Sequence, residues 1–325
     1  MLSAEIEKTM NKHPSKPAAV IFGASQSGQC ALERLQEQYR IVAFADNAAT
    51  LVGTHIDNIP VIPPESIVSL MPIPEKVFIA SEFFEQIQRQ LINDIGLSEH
   101  SVEVLPTSII KPLSLGENES TLRIAEAILL TVCRSLQTQQ VPYHIDAGTL
   151  LGIYRDGGLI PWDDDLDIAV SSEFTQQAKQ ALENALPEIN RLTKAQWQVD
   201  VHYAGQGFGA VQLGDIRGIK LKCSDLKSAD LTRADLKRGN DEASLPMLDI
   251  FFKYIEGDTM DYVLSSRGLT MPSKHLLKTE TIVFCGELLA IPSDVEEYLT
   301  RHYGDWKTPV RDWHLGMLQN ATVFE

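Results

Sequence analysis

Asp163, Asp164, Asp165 and Asp167 fall within five residues, and from Asp165 charge alternates with the apolar Leu166, Ile168 and Val170. Alternation predicts a short strand over Asp165–Val170, with both aspartates on one face and the apolar residues turned into a core. Two carboxylates about 4–7 Å apart repel by about 1 kcal/mol in water and several-fold more inside a protein. A rigid strand that holds such a pair must offset it with a proton, a basic partner or a hard cation. Oxygen-only ligation suits Mg²⁺ or Mn²⁺. The bland outcome for a charge run is an exposed acidic turn. An EF-hand is excluded by counting: from Asp163 as position 1, Ile168 stands where Gly is needed and Phe174 where Glu is needed. A D-x-D site of a nucleotide-sugar glycosyltransferase is compatible with this segment.

Two further features bear on the choice. Gly148-Thr149 lies upstream at an expected strand-to-helix turn, where backbone N–H groups can hold a phosphate. Asp249 sits in the apolar run Pro246–Phe252, with Leu248, Ile250 and Phe252 alternating to the opposite face. A phosphate turn, an acid-x-acid strand and a third acid on another strand make up a nucleotidyltransferase arrangement.

The rest of the chain divides by rhythm. After a tail, 1–16, the runs Ala18–Gly23, Arg40–Asp46, Lys76–Ser81 and Val102–Leu105 alternate with helix-like stretches at Cys30–Tyr39 and 83–95. Such alternation predicts a parallel sheet, so 17–106 reads as a small Rossmann-like α/β domain. Residues 107–120, with Pro112 and Gly116, read as a linker. The second domain, 121–325, opens with a helix over Thr121–Gln140, where Ile124, Ile128, Val132 and Leu136 recur at helical spacing. Strands at Tyr143–Asp146, Asp165–Val170, Pro246–Phe252 and Thr281–Phe284 and a helix over Ser293–His302 follow without a βα rhythm, which predicts an α+β mixed sheet. Three five-residue units from Asp225 to Gly239 are too few for a solenoid and read as a helix or loop.

With 28 Lys+Arg against 44 Asp+Glu, the net charge is −16. That field repels nucleic acid and anionic membranes, so neither is an expected partner. Cys30, Cys133, Cys223 and Cys285 lack zinc-site spacing and read as buried free thiols. The N-terminus has no apolar signal core, and no run of about 18 apolar residues could span a bilayer. The expected location is the cytoplasm, with peripheral association at the inner face of the membrane left open, as is a homo-oligomer.

His144-Ile-Asp-Ala-Gly-Thr-Leu-Leu-Gly-Ile-Tyr-Arg-Asp-Gly-Gly-Leu-Ile-Pro-Trp-Asp-Asp-Asp-Leu-Asp-Ile-Ala-Val170 closely resembles the LicD family, which includes the fukutin-related proteins. Leu248-Asp-Ile-Phe251, Ile291-Pro, Tyr298-Leu and Tyr303-Gly-Asp-Trp306 extend the likeness over roughly 120–310. The resemblance implies a nucleotidyltransferase fold and a bacterial enzyme. Its reaction would transfer a phospho-alcohol (phosphocholine, glycerol phosphate or ribitol phosphate) from a CDP-linked donor to a hydroxyl of a surface glycan or its precursor. It further implies Asp165, Asp167 and Asp249 as metal ligands, Asp163 as an acid/base or supporting residue, Gly148 and Thr149 at a donor phosphate, and Arg155 as a neutralising charge. Asp249 or Asp163 would take the acceptor proton. The alternatives are the D-x-D glycosyltransferase and a non-catalytic nucleotide-binding scaffold of a polysaccharide pathway.

Gly23-x-Ser25-x-x-Gly28 with Asp46 imitates a dinucleotide fingerprint, but Ser25 stands where close approach of a pyrophosphate needs glycine. Phe44-Ala-Asp46, Gly53 and Ile59-Pro-Val61 resemble the small Rossmann-like domain of sugar-modifying and capsule-assembly enzymes, which implies a nucleotide or nucleotide-sugar ligand, or a scaffold. Lys274, His275 and Lys278 read as a basic pocket or a solvated surface. His144 reads as a core histidine or a support for the phosphate turn. Trp162, Tyr303, Trp306 and Trp313 read as packing.

Overall fold

The structure, a computed structural model, describes residues 16–111, 113–225, 245–264 and 266–324. The five-residue repeat lies outside the described residues from position 226 onward. The chain forms two compact units that divide between Ile110 and Lys111.

The first unit contains β1 (Ala18–Phe22), α1 (Gln26–Leu35), β2 (Arg40–Ala45), β3 (His55–Ile56), β4 (Ile59–Ile62), β5 (Lys76–Ile79), α2 (Phe84–Arg89), β6 (Val102–Val104) and α3 (Thr107–Ile110). Its sheet runs β3-β4-β2-β1-β5-β6. β1 pairs in parallel with β2 and β5, and β2–β4 and β5–β6 are parallel too. Only β3 runs antiparallel, because Asp57 and Asn58 both adopt positive φ (48° and 65°), the conformation of a two-residue hairpin turn. β1 is buried along its whole length, as the apolar run requires of a central strand covered on both faces. α1 begins four residues earlier than apolar periodicity suggests. Gly28 allows this: a Cβ there would strike the carbonyl oxygen of Gly23, so only glycine lets the helix start directly after the turn.

The segment expected as a linker is bound structure. Ile110 is buried in the first unit's core, while Leu113 and Leu115 are buried in the second's. The Leu115 N–H donates to the Asp163 carbonyl at 2.7 Å, so this strap holds the acidic segment in place.

The second unit contains α4 (Glu119–Thr138), β7 (Tyr143–Ile145), α5 (Ala147–Asp156), β8 (Asp165–Ser171), α6 (Thr175–Thr193), β9 (Gln196–Tyr203), β10 (Ile216–Asp225), β11 (Met247–Glu256), β12 (Thr259–Val263), β13 (Arg267–Pro272), α7 (Lys274–Leu277), β14 (Thr279–Phe284), β15 (Glu287–Pro292), α8 (Val295–Tyr303) and β16 (Ala321–Val323). An eight-stranded sheet runs β16-β13-β12-β11-β10-β9, with β8 added in parallel to β11 and β7 antiparallel to β8. β14 and β15 form a separate ribbon. α4 starts where the Asn118 side chain accepts the Thr121 N–H at 2.8 Å, a capping bond that satisfies one orphan donor. Its Ile128, Val132 and Leu136 enter one core with Leu166, Ile168, Val170, Leu248, Ile250 and Phe252, the apolar partners of the aspartates on β8 and β11.

Cysteine burial differs from expectation. Cys30 and Cys133 are buried, Cys223 is half-buried and Cys285 is exposed, and none of the four is in a disulfide. Cys285 has positive φ (49°) next to Gly286 (83°) in the turn between β14 and β15, and that turn carries its side chain outward.

Candidate functional site

The register between β8 and β11 builds the site. Asp167 stands directly beside Asp249, and Met247 beside Asp165. Adjacent residues in paired strands project to the same face, so three aspartates on two strands converge. Asp165, Asp167 and Asp249 each offer a carboxylate oxygen within 4.8 Å of the other two, and Asp163, Asp164 and Asp165 form a second such group.

Electrostatics follow from this crowding. Burial first, then the charges of Asp165, Asp163 and Asp249, push the Asp167 carboxyl well above its usual range. Asp249 is pushed up to about 6 by burial and by Asp165, against the opposing pull of Lys220. Burial and Asp165 raise Asp164 to about 7, and burial with Asp165 and Asp164 raises Asp163. Such an all-oxygen set, held at the cost of mutual repulsion, fits a hard divalent cation.

α5 closes one side. Asp146 occupies its N-cap position in extended conformation, and its N–H donates to the Asp167 carbonyl at 2.9 Å. Gly148, in the first turn, lies close against Asp163: a Cβ there would meet the Asp163 carboxylate, so that side chain would have to shift. The helix start expected to meet a donor phosphate thus packs against Asp163. Thr149 is buried, and its hydroxyl accepts the Asp167 N–H at 2.9 Å. It ties α5 to β8.

Arg155 lies at the end of α5. Its Nε and Nη2 bind Asp156 at 2.9 and 2.7 Å, and its Nη1 binds the Trp306 carbonyl at 3.2 Å. The cations that do reach the acidic residues are Lys111, 3.2 Å from Asp164, and Lys220, 3.1 Å from Asp249. A third, Lys253, lies wholly buried 2.8 Å from Asp146. None of the three lies in the motif that marks the acidic segment. Alternation in Ile219-Lys-Leu-Lys-Cys223, and a lone lysine inside Ile250-Phe-Phe-Lys-Tyr-Ile255, are the signals that point to Lys220 and Lys253.

Other expected residues take structural places. His144 is fully buried; its Nδ1 lies 2.8 Å from the Ile145 carbonyl and its ring packs edge-on to Tyr298. Burial depresses it to about 4. Lys274 pairs with Asp294 and Glu297 at 2.8 and 2.6 Å, His275 is buried and Lys278 is exposed, so these three side chains take separate environments. Arg311 lies over the Trp162 ring at 5.8 Å. Trp306 is buried against Tyr154, and Tyr303 contacts Trp313.

In the first unit, a cavity of about 440 Å³ opens at the C-terminal ends of β1, β2 and β5, lined among others by Gly23, Ser25, Asp46, Ser81 and Glu82. This is the crevice where doubly wound sheets place ligands. Gly28 packs behind the turn. Asp46 accepts the Ala24 and Ala48 N–H groups, each at 2.8 Å, and so braces the loop from within. Among the described residues, the lining includes two carboxylates and no lysine or arginine.

Comparison with known proteins agrees with this geometry. Residues 140–294 match the family described as LicD/FKTN/FKRP, nucleotidyltransferase domain. The second unit belongs to that family. The match spans α5, β8 and β11, and so contains every aspartate of the site. Residues 15–103 match the C2185-like N-terminal domain. The chain is 25% identical over 198 residues to the mouse (Mus musculus) ribitol-5-phosphate transferase FKTN, covering 58% of this chain and 34% of that protein. It is 30% identical over 128 residues to the uncharacterized protein RP689 of Rickettsia prowazekii (strain Madrid E), covering 39% of this chain and 42% of the other. The chain therefore spans well under half the length of these relatives. Among solved structures, ANT(2")-Ia in complex with adenylyl-2"-tobramycin aligns over 59% of this chain and 81% of its own, at 12% identity and a TM-score of 0.28, too loose a likeness to carry an argument. The second unit thus contains a LicD-type nucleotidyltransferase domain. Among the described residues, no helix is long and apolar enough to cross a membrane.

Proposed function

We propose that the second unit is a divalent-metal-dependent phosphotransferase. It moves a phospho-alcohol of the phosphocholine, glycerol phosphate or ribitol phosphate type from a CDP-linked donor to a hydroxyl of a cell-surface glycan or its precursor. The observation that carries the reading is the parallel register that sets Asp249 beside Asp167 and converges three carboxylates. Family membership and the mouse ribitol-5-phosphate transferase support the type of group transferred.

Asp165, Asp167 and Asp249 are the residues to hold Mg²⁺ or Mn²⁺. A bound cation supplies charge neutralisation on the phosphate and a template for in-line geometry. The acceptor oxygen attacks the phosphorus that carries the alcohol, the bond from that phosphorus to the bridging oxygen breaks, and CMP leaves with the electron pair. The acceptor proton passes to a carboxylate. Asp163 is the group for it: it lies outside the three-ligand set and adjoins the set through Asp165.

The test is a screen of CDP-choline, CDP-glycerol, CDP-ribitol and nucleotide-sugars by thermal shift, with and without Mg²⁺, followed by product analysis. CMP release with phosphate gained by the acceptor is the expected result. A new glycosidic bond without phosphate would assign the site to glycosyl transfer instead. Nucleotide-sugar stabilisation independent of Mg²⁺ would locate a second ligand in the crevice of the first unit.

A further inference from the structure

We propose that Lys220 is the donor-binding cation of the site: it pairs with Asp249 while the three carboxylates are without metal, and passes to the donor's diphosphate once a cation binds there. This assignment rests on the phosphotransfer reading above and adds a substrate-contacting residue to it.

The placement comes from the sheet. β10 pairs antiparallel to β11 with Lys220 opposite Asp249, and β9 pairs antiparallel to β10 with Asp200 opposite Lys220. Together with Asp249 beside Asp167, one row crosses four strands on a single face: Asp167, Asp249, Lys220, Asp200. Lys220 Nζ lies 3.1 Å from Asp249 Oδ2, and its side chain is 27% exposed, so the ammonium reaches solvent beside the carboxylates. Asp200 has its own cation, Lys222, which leaves Lys220 facing the acidic centre.

A divalent cation at Asp165, Asp167 and Asp249 changes this balance. It takes over the charge of Asp249 and repels the ammonium beside it. The other nearby cations keep their partners. Lys111 holds Asp164, which stands outside the three-ligand set. Lys253 is sealed against Asp146, and all three kinds of nitrogen in Arg155 are engaged. Among these, only Lys220 has its carboxylate claimed by the metal. A diphosphate satisfies both charges at once, with one oxygen toward the metal and another toward Lys220. A point charge on a flexible stem suits such a handover.

The experiment compares the full chain with Lys220→Met, Lys220→Arg and Asp249→Asn. Mn²⁺ binding is followed by calorimetry, then the affinities for inorganic pyrophosphate and CDP-choline in saturating Mn²⁺. Lys220→Met should bind Mn²⁺ as tightly as wild type or more tightly, which also shows that it folds, yet lose roughly tenfold to a hundredfold in affinity for both ligands. Lys220→Arg should recover most of the loss, and Asp249→Asn should lose the metal itself. Wild-type ligand affinity in Lys220→Met, or loss of Mn²⁺ like that of Asp249→Asn, would overturn the assignment. A wild-type chain that binds Mn²⁺ and pyrophosphate through Lys220 but transfers phosphate from no CDP-alcohol overturns the phosphotransfer reading and leaves the Lys220 site standing. A wild-type chain that binds no Mn²⁺ overturns both.

Discussion

Lys253 Nζ lies 2.8 Å from Asp146 Oδ2, and neither side chain reaches solvent. The pair sits where β11 passes beneath the start of α5. Tyr298 donates to the other Asp146 oxygen at 2.6 Å, and Lys253 lies 3.1 Å from the centroid of the Tyr262 ring, whose hydroxyl is 2.8 Å from His302 Nε2. Burial pushes Asp146 up, but Lys253 outweighs it and holds the carboxyl below its usual range. Removing one partner strands a buried charge, so Lys253→Met should cost roughly 3–5 kcal/mol. Adding Asp146→Asn should restore more than half of that. Urea midpoints measure both, and a Lys253→Met protein as stable as wild type would show that the pair is not ionised.

The three-carboxylate set predicts opposite effects in the presence and absence of metal. Asp165→Asn removes the charge that raises Asp163, Asp164, Asp167 and Asp249 alike. The metal-free variant should melt several degrees higher than wild type, while the further rise on adding Mg²⁺ should vanish together with transfer activity. A variant that melts lower without metal would mean that Asp165 serves folding through a partner other than its neighbours' charges.

Much of this site was legible in the sequence because a strand has period two. The pattern at Asp165–Val170 and Leu248–Phe252 told which residues face the core, and the structure pairs those strands. Pairing itself was not legible: that β10 inserts next to β11, and brings Lys220 opposite Asp249, depends on a contact between segments about 30 residues apart. Nor does spacing reveal competition for a side chain. Thr149 and Arg155 lie in the motif, and only the structure shows that Thr149 accepts the Asp167 N–H and that Arg155 binds Asp156 and the Trp306 carbonyl. In the first unit, βα rhythm gave the parallel sheet, whereas the small β3 strand follows from two residues at positive φ that no periodicity marks.

Gly148→Ala tests the contact between α5 and the acidic segment. The new Cβ would occupy the position of the Asp163 carboxylate, while the helical backbone itself tolerates alanine. Overpacking of this kind costs about 1–3 kcal/mol. Because Asp163 must move, transfer activity should fall by far more than stability alone accounts for. The decisive comparison is with Asp163→Ala: in that background Gly148→Ala should add no further loss of stability. A full additive cost in the double variant would place the obstruction elsewhere.

The pH dependence of metal binding follows from the same crowding. Asp249 and Asp164, near 3.8 when unfolded, are raised to about 6 and about 7 in the folded chain. Between about pH 4 and 7 the metal-free folded protein keeps protons that the unfolded chain has released, so its stability falls as pH rises through that window. His144 and His302, both depressed to about 4 by burial, act in the opposite sense: their contribution is full above the unfolded value of 6.5 and is lost as pH falls. Those histidines cancel in the difference between metal-loaded and metal-free samples. A divalent cation replaces the protons on the carboxylates, so Mg²⁺ should shift the melting temperature little at pH 5 and progressively more up to about pH 8. Thermal melts at fixed ionic strength, with Mg²⁺ matched against a monovalent salt, read this directly. A shift that is equal at pH 5 and pH 8 would mean that the cation binds somewhere other than the raised carboxylates.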